Sequence, residues 1–181
     1  MDLVQDILLG LIVVVAALIY FIFASFIFGA GYQPTNRRVV DRMMTEARVV
    51  PSDKLYDLGA GTGAIVFVAA RKYGAFVVGV EVDPIRMLIL RVRRALGRAR
   101  DRIELRWGNL FDLEFRDATV VTVFLWPGAM EKLRDRFERQ LPAGARVVSH
   151  WHRVPGWKWV SFDAATHVYL YHWDGSAAVE H

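Results

Sequence analysis

A chain of 181 residues is long enough for one domain and leaves some sequence outside it. It contains no cysteine, which excludes a disulfide framework, a thiolate metal site and a cysteine nucleophile. Its formal net charge of +4 comes mainly from arginine and suits a membrane surface or a nucleic acid as partner without selecting either.

An uncharged apolar run covers residues 7–28. As a helix it would span about 30 Å, the hydrocarbon thickness of a bilayer. A cleaved signal peptide would have a basic start and a shorter apolar core, whereas Asp2 and Asp6 precede this run. The sequence therefore predicts a transmembrane anchor within residues 1–30 that contacts lipid through 7–28. A buried core helix is the alternative.

The charges flanking this run predict its orientation. The N-terminal side carries two aspartates, and the C-terminal side carries four arginines, Arg37, Arg38, Arg42 and Arg48. Because basic flanks stay in the cytoplasm, we expect a single-pass protein whose C-terminal domain is cytoplasmic. Arg37 and Arg38 either contact anionic head groups or only stop translocation.

A linker and an amphipathic helix are predicted over 31–52, and a folded domain over 53–181, where strands and helices alternate. The predicted strands are 54–58, 75–81, 102–106, 119–125 and 146–150, followed by a hairpin of 157–162 and 167–173. The predicted helices are 63–73, 84–99 and 129–141. The helix at 84–99 is expected to bury Ile85, Leu88, Ile89, Val92 and Leu96, and to expose Arg86, Arg93, Arg94 and Arg100.

Apolar strands separated by amphipathic helices predict an α/β fold with a mostly parallel, Rossmann-like sheet. The final antiparallel hairpin is what methyltransferases dependent on S-adenosylmethionine (SAM) have. The glycine turn after the first strand supports this class. We expect Asp57 to hold the ammonium group of SAM, and four further residues to bring backbone close to the ligand, namely Gly59, Ala60, Gly61 and Gly63.

The next two strands end in further candidates for the cofactor site. Glu81 can accept hydrogen bonds from the ribose hydroxyls, with Val82 beside it. Asn109 and Leu110 follow the third strand and would contact adenine, unless Gly108 and Asn109 are only a turn. Asp83 either assists Glu81 or caps the helix after Pro84. A nicotinamide enzyme is the competing class, but its G-x-G-x-x-G fingerprint is absent.

The carboxyl end of the fourth strand is the expected substrate pocket, lined by Phe124, Leu125, Trp126 and Pro127. Trp126 contacts the substrate or is an ordinary buried aromatic residue. Tyr32, Pro34 and Thr35 close over the site or are plain linker. No metal site is expected, although one of the five histidines, such as His150 or His152, is a possible proton acceptor.

The chain resembles small membrane-anchored protein-lysine methyltransferases that act on the mitochondrial ADP/ATP carrier and the ATP synthase c-subunit, and their archaeal relatives. The matching segments are 32–35, 39–44, 57–63, 79–84, 109–111, 121–127 and 144–149. The chain departs from the family pattern of the glycine turn at Ala60, Thr62 and Ala64. The resemblance implies N-methylation of lysine in a membrane or membrane-proximal protein.

Two other functions stay open at this point. The first is a methyltransferase for a lipid or a quinone. The second is a non-catalytic module that binds RNA or anionic lipid through the arginines of residues 86–102, although nucleic acid is not the favoured partner because such arginines usually form the solvated face of a helix.

Overall fold

The computed structural model describes residues 3–27 and 35–176. Helix α1 spans Leu3–Ile27, and its stretch Leu3–Tyr20, with a mean hydropathy of 2.5, is long and apolar enough to cross a membrane. None of that stretch is buried against the rest of the chain. The described residues thus contain one candidate membrane span by length and composition, and its insertion into a bilayer stays a prediction.

Seven strands form a single mixed sheet. They are β1 (Lys54–Leu58), β2 (Phe76–Glu81), β3 (Ile103–Trp107), β4 (Val120–Val123), β5 (Arg146–His150), β6 (Ser161–Asp163) and β7 (Val168–His172). The order across the sheet is β3-β2-β1-β4-β5-β7-β6, with β1 to β5 parallel and β7 antiparallel to both of its neighbours. This topology confirms the predicted Rossmann-like fold with a C-terminal antiparallel hairpin. The fourth strand and the first arm of the hairpin are shorter than predicted.

Four helices pack on the two faces of this sheet. They are α2 (Arg37–Glu46), α3 (Ala64–Lys72), α4 (Pro84–Leu96) and α5 (Pro127–Gln140), and a short 3₁₀ turn covers Arg100–Arg102. The buried side chains of α2, α3 and α4 share one apolar core, and those of α5 belong to the core on the opposite face. The sheet is therefore covered on both sides, which is why its central strands read as continuous apolar runs.

The predicted buried face of α4 is wrong, although Arg93, Arg94 and Arg100 are exposed as predicted. The helix buries Arg86, Met87 and Leu90, whereas Leu88 is 60% and Leu96 is 86% exposed. Arg86 lies inside because the buried carboxylate of Asp83 is nearby, with 3.9 Å between Nε and Oδ2. The first turn thus meets the sheet with the face that carries Arg86, and the larger apolar stripe faces outward.

Parallel pairing brings the carboxyl ends of β1 to β4 to one edge of the sheet. In the register, Asp57 of β1 lies opposite Gly79 of β2 and Thr122 of β4. Glu81 at the end of β2 lies opposite Trp107 at the end of β3. The turns that follow these strands are consequently neighbours, and this edge is where open α/β sheets bind ligands.

Close packing of α3 on β2 depends on Gly79. A Cβ atom at this position would lie 2.8 Å from Cγ2 of Val66 and 3.3 Å from Cδ2 of Leu105. We expect Gly79→Ala to lower the free energy of unfolding by about 1–3 kcal/mol because neither neighbour can move freely. Urea unfolding of the full chain in detergent, followed by tryptophan fluorescence, measures this.

Gly128 in the first turn of α5 provides the matched control, since a Cβ there would meet no atom within 4 Å. Gly128→Ala should leave stability unchanged or raise it by up to about 1 kcal/mol. Equal unfolding midpoints for the two variants would contradict the packing argument.

Candidate active site

The turn between β1 and α3 requires glycine. Gly59, Gly61 and Gly63 have φ angles of 89°, 56° and 91°, in the left-handed region that other residues rarely adopt. The N–H groups of Gly59 and Ala60 both donate to the carbonyl of Val80, at 3.0 and 2.8 Å. These bonds fix the turn against β2 and leave its backbone at the carboxyl edge of the sheet.

Glu81 connects this turn to the one that follows β2. Its Oε2 accepts a hydrogen bond from the N–H of Gly61 at 2.7 Å. Its Oε1 accepts from the N–H groups of Val82 at 3.0 Å and Asp83 at 2.9 Å. A carboxylate has about four lone-pair positions. Three are therefore used by the backbone, and Oε2 retains one for a hydroxyl of a ligand.

Asp57 is a buried carboxylate at the end of β1. Burial raises its pKa from 3.8 to about 7; the hydroxyl of Thr122, which donates to Oδ1 at 2.9 Å, lowers it, and the negative charge of Glu81 raises it further. Burial also raises the pKa of Glu81, against the opposing effect of its backbone hydrogen bonds. Within residues 35–176, no basic side chain lies within 4 Å of the Asp57 carboxylate.

These groups fit a cationic ligand that carries hydroxyl groups. A buried carboxylate without a cationic partner is stabilised by an incoming positive charge, and SAM carries both an ammonium and a sulfonium. Its ribose offers hydroxyl donors to the remaining acceptor position of Glu81. The residues at this edge therefore suit SAM.

Asp83 acts as the cap of α4. Its Oδ1 accepts hydrogen bonds from the N–H groups of Ile85 at 2.8 Å and Arg86 at 3.0 Å. Pro84 occupies the first position of the helix, where a missing N–H costs nothing. Of the two interpretations of Asp83, the geometry is that of the cap.

The residues after β3 form a turn beside the acids. Asn109 is exposed, and its Oδ1 accepts a hydrogen bond from the N–H of Phe111 at 3.1 Å, as expected of a turn. Leu110 is half-buried between them. Trp107 is exposed, but its indole N–H donates to the carbonyl of Val82 at 3.0 Å. This bond holds the ring over the turn that follows Glu81.

The carboxyl end of β4 brings apolar groups to the same edge. Leu125 is buried, and its Cδ2 would lie 3.3 Å from a Cβ on Gly59. Trp126 is 51% exposed, so the interpretation as an ordinary buried aromatic residue is wrong. Pro127 begins α5, two residues earlier than predicted, and Phe124 is half-buried. Leu125 therefore lies against the glycine turn, and the other three predicted wall residues adjoin it in the chain after β4.

Two histidines from the end of β5 contact these aromatic residues. The ring centroid of His150 is 4.3 Å from that of Phe124, and His152 stacks on Trp126 at 6.1 Å. Burial lowers the pKa of His150 to about 4, so its imidazole is neutral at physiological pH. Its buried Nδ1 makes no hydrogen bond within the described chain. No group of three or more potential metal ligands occurs in that same part.

The predicted closure over the site involves residues before α2. Thr35 is half-buried. Tyr32 and Pro34 lie outside the described residues, so the closure stays a prediction.

Thr122 and Trp107 shape the site but were not predicted. A threonine in an otherwise apolar β4 is a usable signal, because parallel register places it beside Asp57. Trp107 carries no such signal, since its position depends on how β3 pairs with β2.

The sheet order, the glycine turn and the two buried acids define a SAM-dependent methyltransferase with a Rossmann-like fold. A sequence profile of the ANTKMT methyltransferase domain matches residues 57–161. The chain belongs to this family, which confirms the predicted resemblance and the predicted cofactor.

Two relatives and one solved structure illustrate the similarity. A protein-lysine N-methyltransferase of Saccharolobus islandicus is 37% identical over 139 residues, 74% of this chain and 83% of that protein. The adenine nucleotide translocase lysine N-methyltransferase of Mus musculus is 30% identical over 127 residues, 70% of this chain but 55% of the mouse protein. An RNA methyltransferase from Salinibacter ruber, with S-adenosyl-L-homocysteine bound, is 38% identical with a TM-score of 0.75, covering 82% of this chain and 97% of its own.

The raised pKa of Asp57 predicts a pH-dependent stability. Between pH 3.8 and about 7, folded Asp57 keeps a proton that the unfolded chain has lost. The free energy of unfolding should therefore fall as pH rises through this window, by at most about 1.4 kcal/mol per unit. We expect Asp57→Asn to remove this fall and to be more stable than the wild type at pH 8, and about equally stable near pH 4.

Chemical unfolding of the SAM-free full chain at several pH values measures the effect. Asp135→Asn on the exposed surface of α5 is the control and should follow the wild-type curve. A parallel pH dependence in Asp57→Asn and the wild type would overturn the assignment.

Proposed function

We propose that this protein transfers the methyl group of SAM to lysine side chains of a protein that lies in or against a membrane, while α1 anchors it in that membrane. The observation that carries the proposal is the placement of two unlike regions at one edge of the sheet. Buried acids that suit a cation, Asp57 and Glu81, lie beside an aromatic entrance that contains Phe124 and Trp126.

The predicted cofactor residues divide the binding of SAM among them. Asp57 would pair with the ammonium group, and Glu81, which holds both neighbouring turns, would accept a hydrogen bond from a ribose hydroxyl. The backbone of the glycine turn and the residues after β2 and β3 line the remainder, namely Gly59, Ala60, Gly61, Gly63, Val82, Asn109 and Leu110. When bound, SAM supplies a methyl group that its sulfonium already activates, so the protein mainly aligns the acceptor and excludes water.

The entrance after β4 suits a lysine side chain. Phe124, Leu125, Trp126 and Pro127 present apolar surface against which the four methylene groups of lysine pack. The exposed ring of Trp126 can also face the positive end of the incoming chain. Burial among these groups lowers the pKa of the amine and favours its neutral, nucleophilic form.

His150 orients the amine as a hydrogen-bond acceptor. With a pKa of about 4, the imidazole is a weak base and stays neutral at physiological pH. If its proton is on Nε2, the lone pair on Nδ1 can accept a hydrogen bond. Because its ring lies against Phe124, this acceptor is adjacent to the proposed entrance. His150 is thus a positioning residue, and the proton of the amine leaves to solvent before transfer.

Anchoring would concentrate the enzyme with its substrates. The span Leu3–Tyr20 has the length and composition for a bilayer. The basic residues that follow α1 favour a cytoplasmic C-terminal domain. Sharing a bilayer turns the encounter with a membrane protein into a local event at raised effective concentration. Tyr32, Pro34 and Thr35 connect the two parts and would close over the site.

RNA is a second candidate substrate, since the Salinibacter ruber protein is named for it. The two curated relatives named for protein lysine favour the first proposal. So does the entrance, because the apolar surface of Phe124 and Leu125 suits the methylene chain of a lysine side chain.

A transfer assay with methyl-labelled SAM tests the proposed substrate. Full-length protein and native membranes should yield label in protein bands, and hydrolysis should release methyl-lysine. Label that extracts into organic solvent would identify a lipid or quinone methyltransferase, and label removed by ribonuclease would identify RNA. Glu81→Ala should weaken SAM binding by about 10- to 100-fold in calorimetry because charged hydrogen bonds are lost. Glu131→Ala on exposed α5 is its control.

Substitution of His150 tests the positioning role. We expect His150→Phe to reduce kcat by about tenfold or more, with SAM affinity retained, because one hydrogen bond to the reacting amine is lost. His150→Asn, which keeps an acceptor, should recover part of the rate. Both variants should share the acid limb of the wild-type pH profile, because His150 is neutral throughout that range. Loss of a limb near pH 6–7 would instead make His150 the base, and weaker SAM binding would make its role structural.

A further inference from the structure

The outward face of α4 carries an apolar stripe. Ile85, Leu88, Val92 and Leu96 are 42%, 60%, 49% and 86% exposed. Their spacing places them on one side of the helix, opposite the buried Met87 and Leu90. A soluble helix normally turns such a stripe towards the core, and a contiguous apolar face left outside marks an interaction surface.

Positive charge surrounds this stripe. The sequence of α4 has no acidic residue, and neither does that of α3. Exposed Arg91 and Arg93 lie on opposite sides of the stripe, and Arg98 and Arg100 follow at its C-terminal end. The side chain of Arg93 is held at the carbonyl of Thr62 and over the ring of Phe67, at 4.5 Å. An aliphatic face between cations is the pattern of a helix that lies in the head-group region of an anionic membrane.

The helices α2, α3 and α4 share one face of the sheet, and α5 covers the other. Helix α2 begins at Arg37, and α1 ends at Ile27. The segment between them reaches at most about 30 Å even when extended. A membrane that holds α1 would therefore be within reach of the layer that contains α4, and docking through α4 would turn α5 away from that membrane.

We propose that the outward face of α4 docks on the surface of an anionic lipid bilayer. This inference rests on the membrane location given in the proposed function. RNA is the weaker occupant, since phosphates would pair with the arginines but leave Leu88 and Leu96 exposed. Because α4 begins at Asp83, beside Glu81, docking fixes the rim of the cofactor site at the bilayer surface. The enzyme then selects lysines that lie near the lipid head groups.

A fluorescent probe on α4 tests the docking in the full-length protein. The absence of cysteine allows a single label at Leu88→Cys, with Glu131→Cys on the opposite face as the matched control. Both proteins are reconstituted through the same anchor into phosphatidylcholine vesicles with and without phosphatidylglycerol. An environment-sensitive dye at position 88 should shift to the blue and become quenched by head-group-proximal quencher lipids in the anionic vesicles. The dye at position 131 should not respond.

Charge removal completes the test. Combining Arg91→Gln and Arg98→Gln with the probe should reduce the docked-to-undocked ratio by about fivefold per arginine. A probe at position 88 that stays in water in anionic vesicles would overturn the proposal. So would a blue shift in detergent that depends on added RNA or on protein concentration, since either would assign the face to RNA or to a second copy. Label transfer to protein, measured on the same samples, reports the proposed function separately.

Discussion

One buried carboxylate holds the cofactor edge of the sheet together. Glu81 accepts hydrogen bonds from the glycine turn and from the residues just before α4, and so it joins the two turns of the site. Its burial, together with that of Asp57, opposes the charged forms and raises both pKa values. The free protein therefore carries an electrostatic cost that a cationic ligand relieves, an arrangement typical of binding sites that are less stable than the fold around them.

The features predicted from sequence are those set by local chemistry and by strand burial. Strands covered on both faces read as apolar runs, and the glycine turn needs backbone angles that few other residues adopt, so β1, β2 and the position of Glu81 could be read directly. The sequence overestimates the length of β4 because Phe124 and Leu125 continue its apolar run beyond the last residue paired with β1. Pairing is a property of neighbouring strands, and composition does not record where it stops.

The orientation of α4 shows the limit of periodicity more sharply. The helix has two apolar faces, and the pattern selects the larger one. In the structure the smaller apolar face meets the sheet. Asp83 caps the helix, and Arg86, one turn on, lies inside near the Asp83 carboxylate. Trp107 and His150 are similar cases. Trp107 contacts Val82 and His150 contacts Phe124, in both cases across the sheet. The spacing of residues along the chain does not predict such contacts.

The outward face of α4 and the chemistry of the entrance both bear on the choice of substrate. In the proposed function, a neutral histidine and an apolar entrance would bind a lysine amine but would not distinguish one lysine from another. Discrimination must then come from what can reach the entrance. A domain tethered by α1 and laid on the bilayer through α4 could present its entrance only to chains at the head-group level, so that selection would depend on the depth of the lysine more than on the sequence around it.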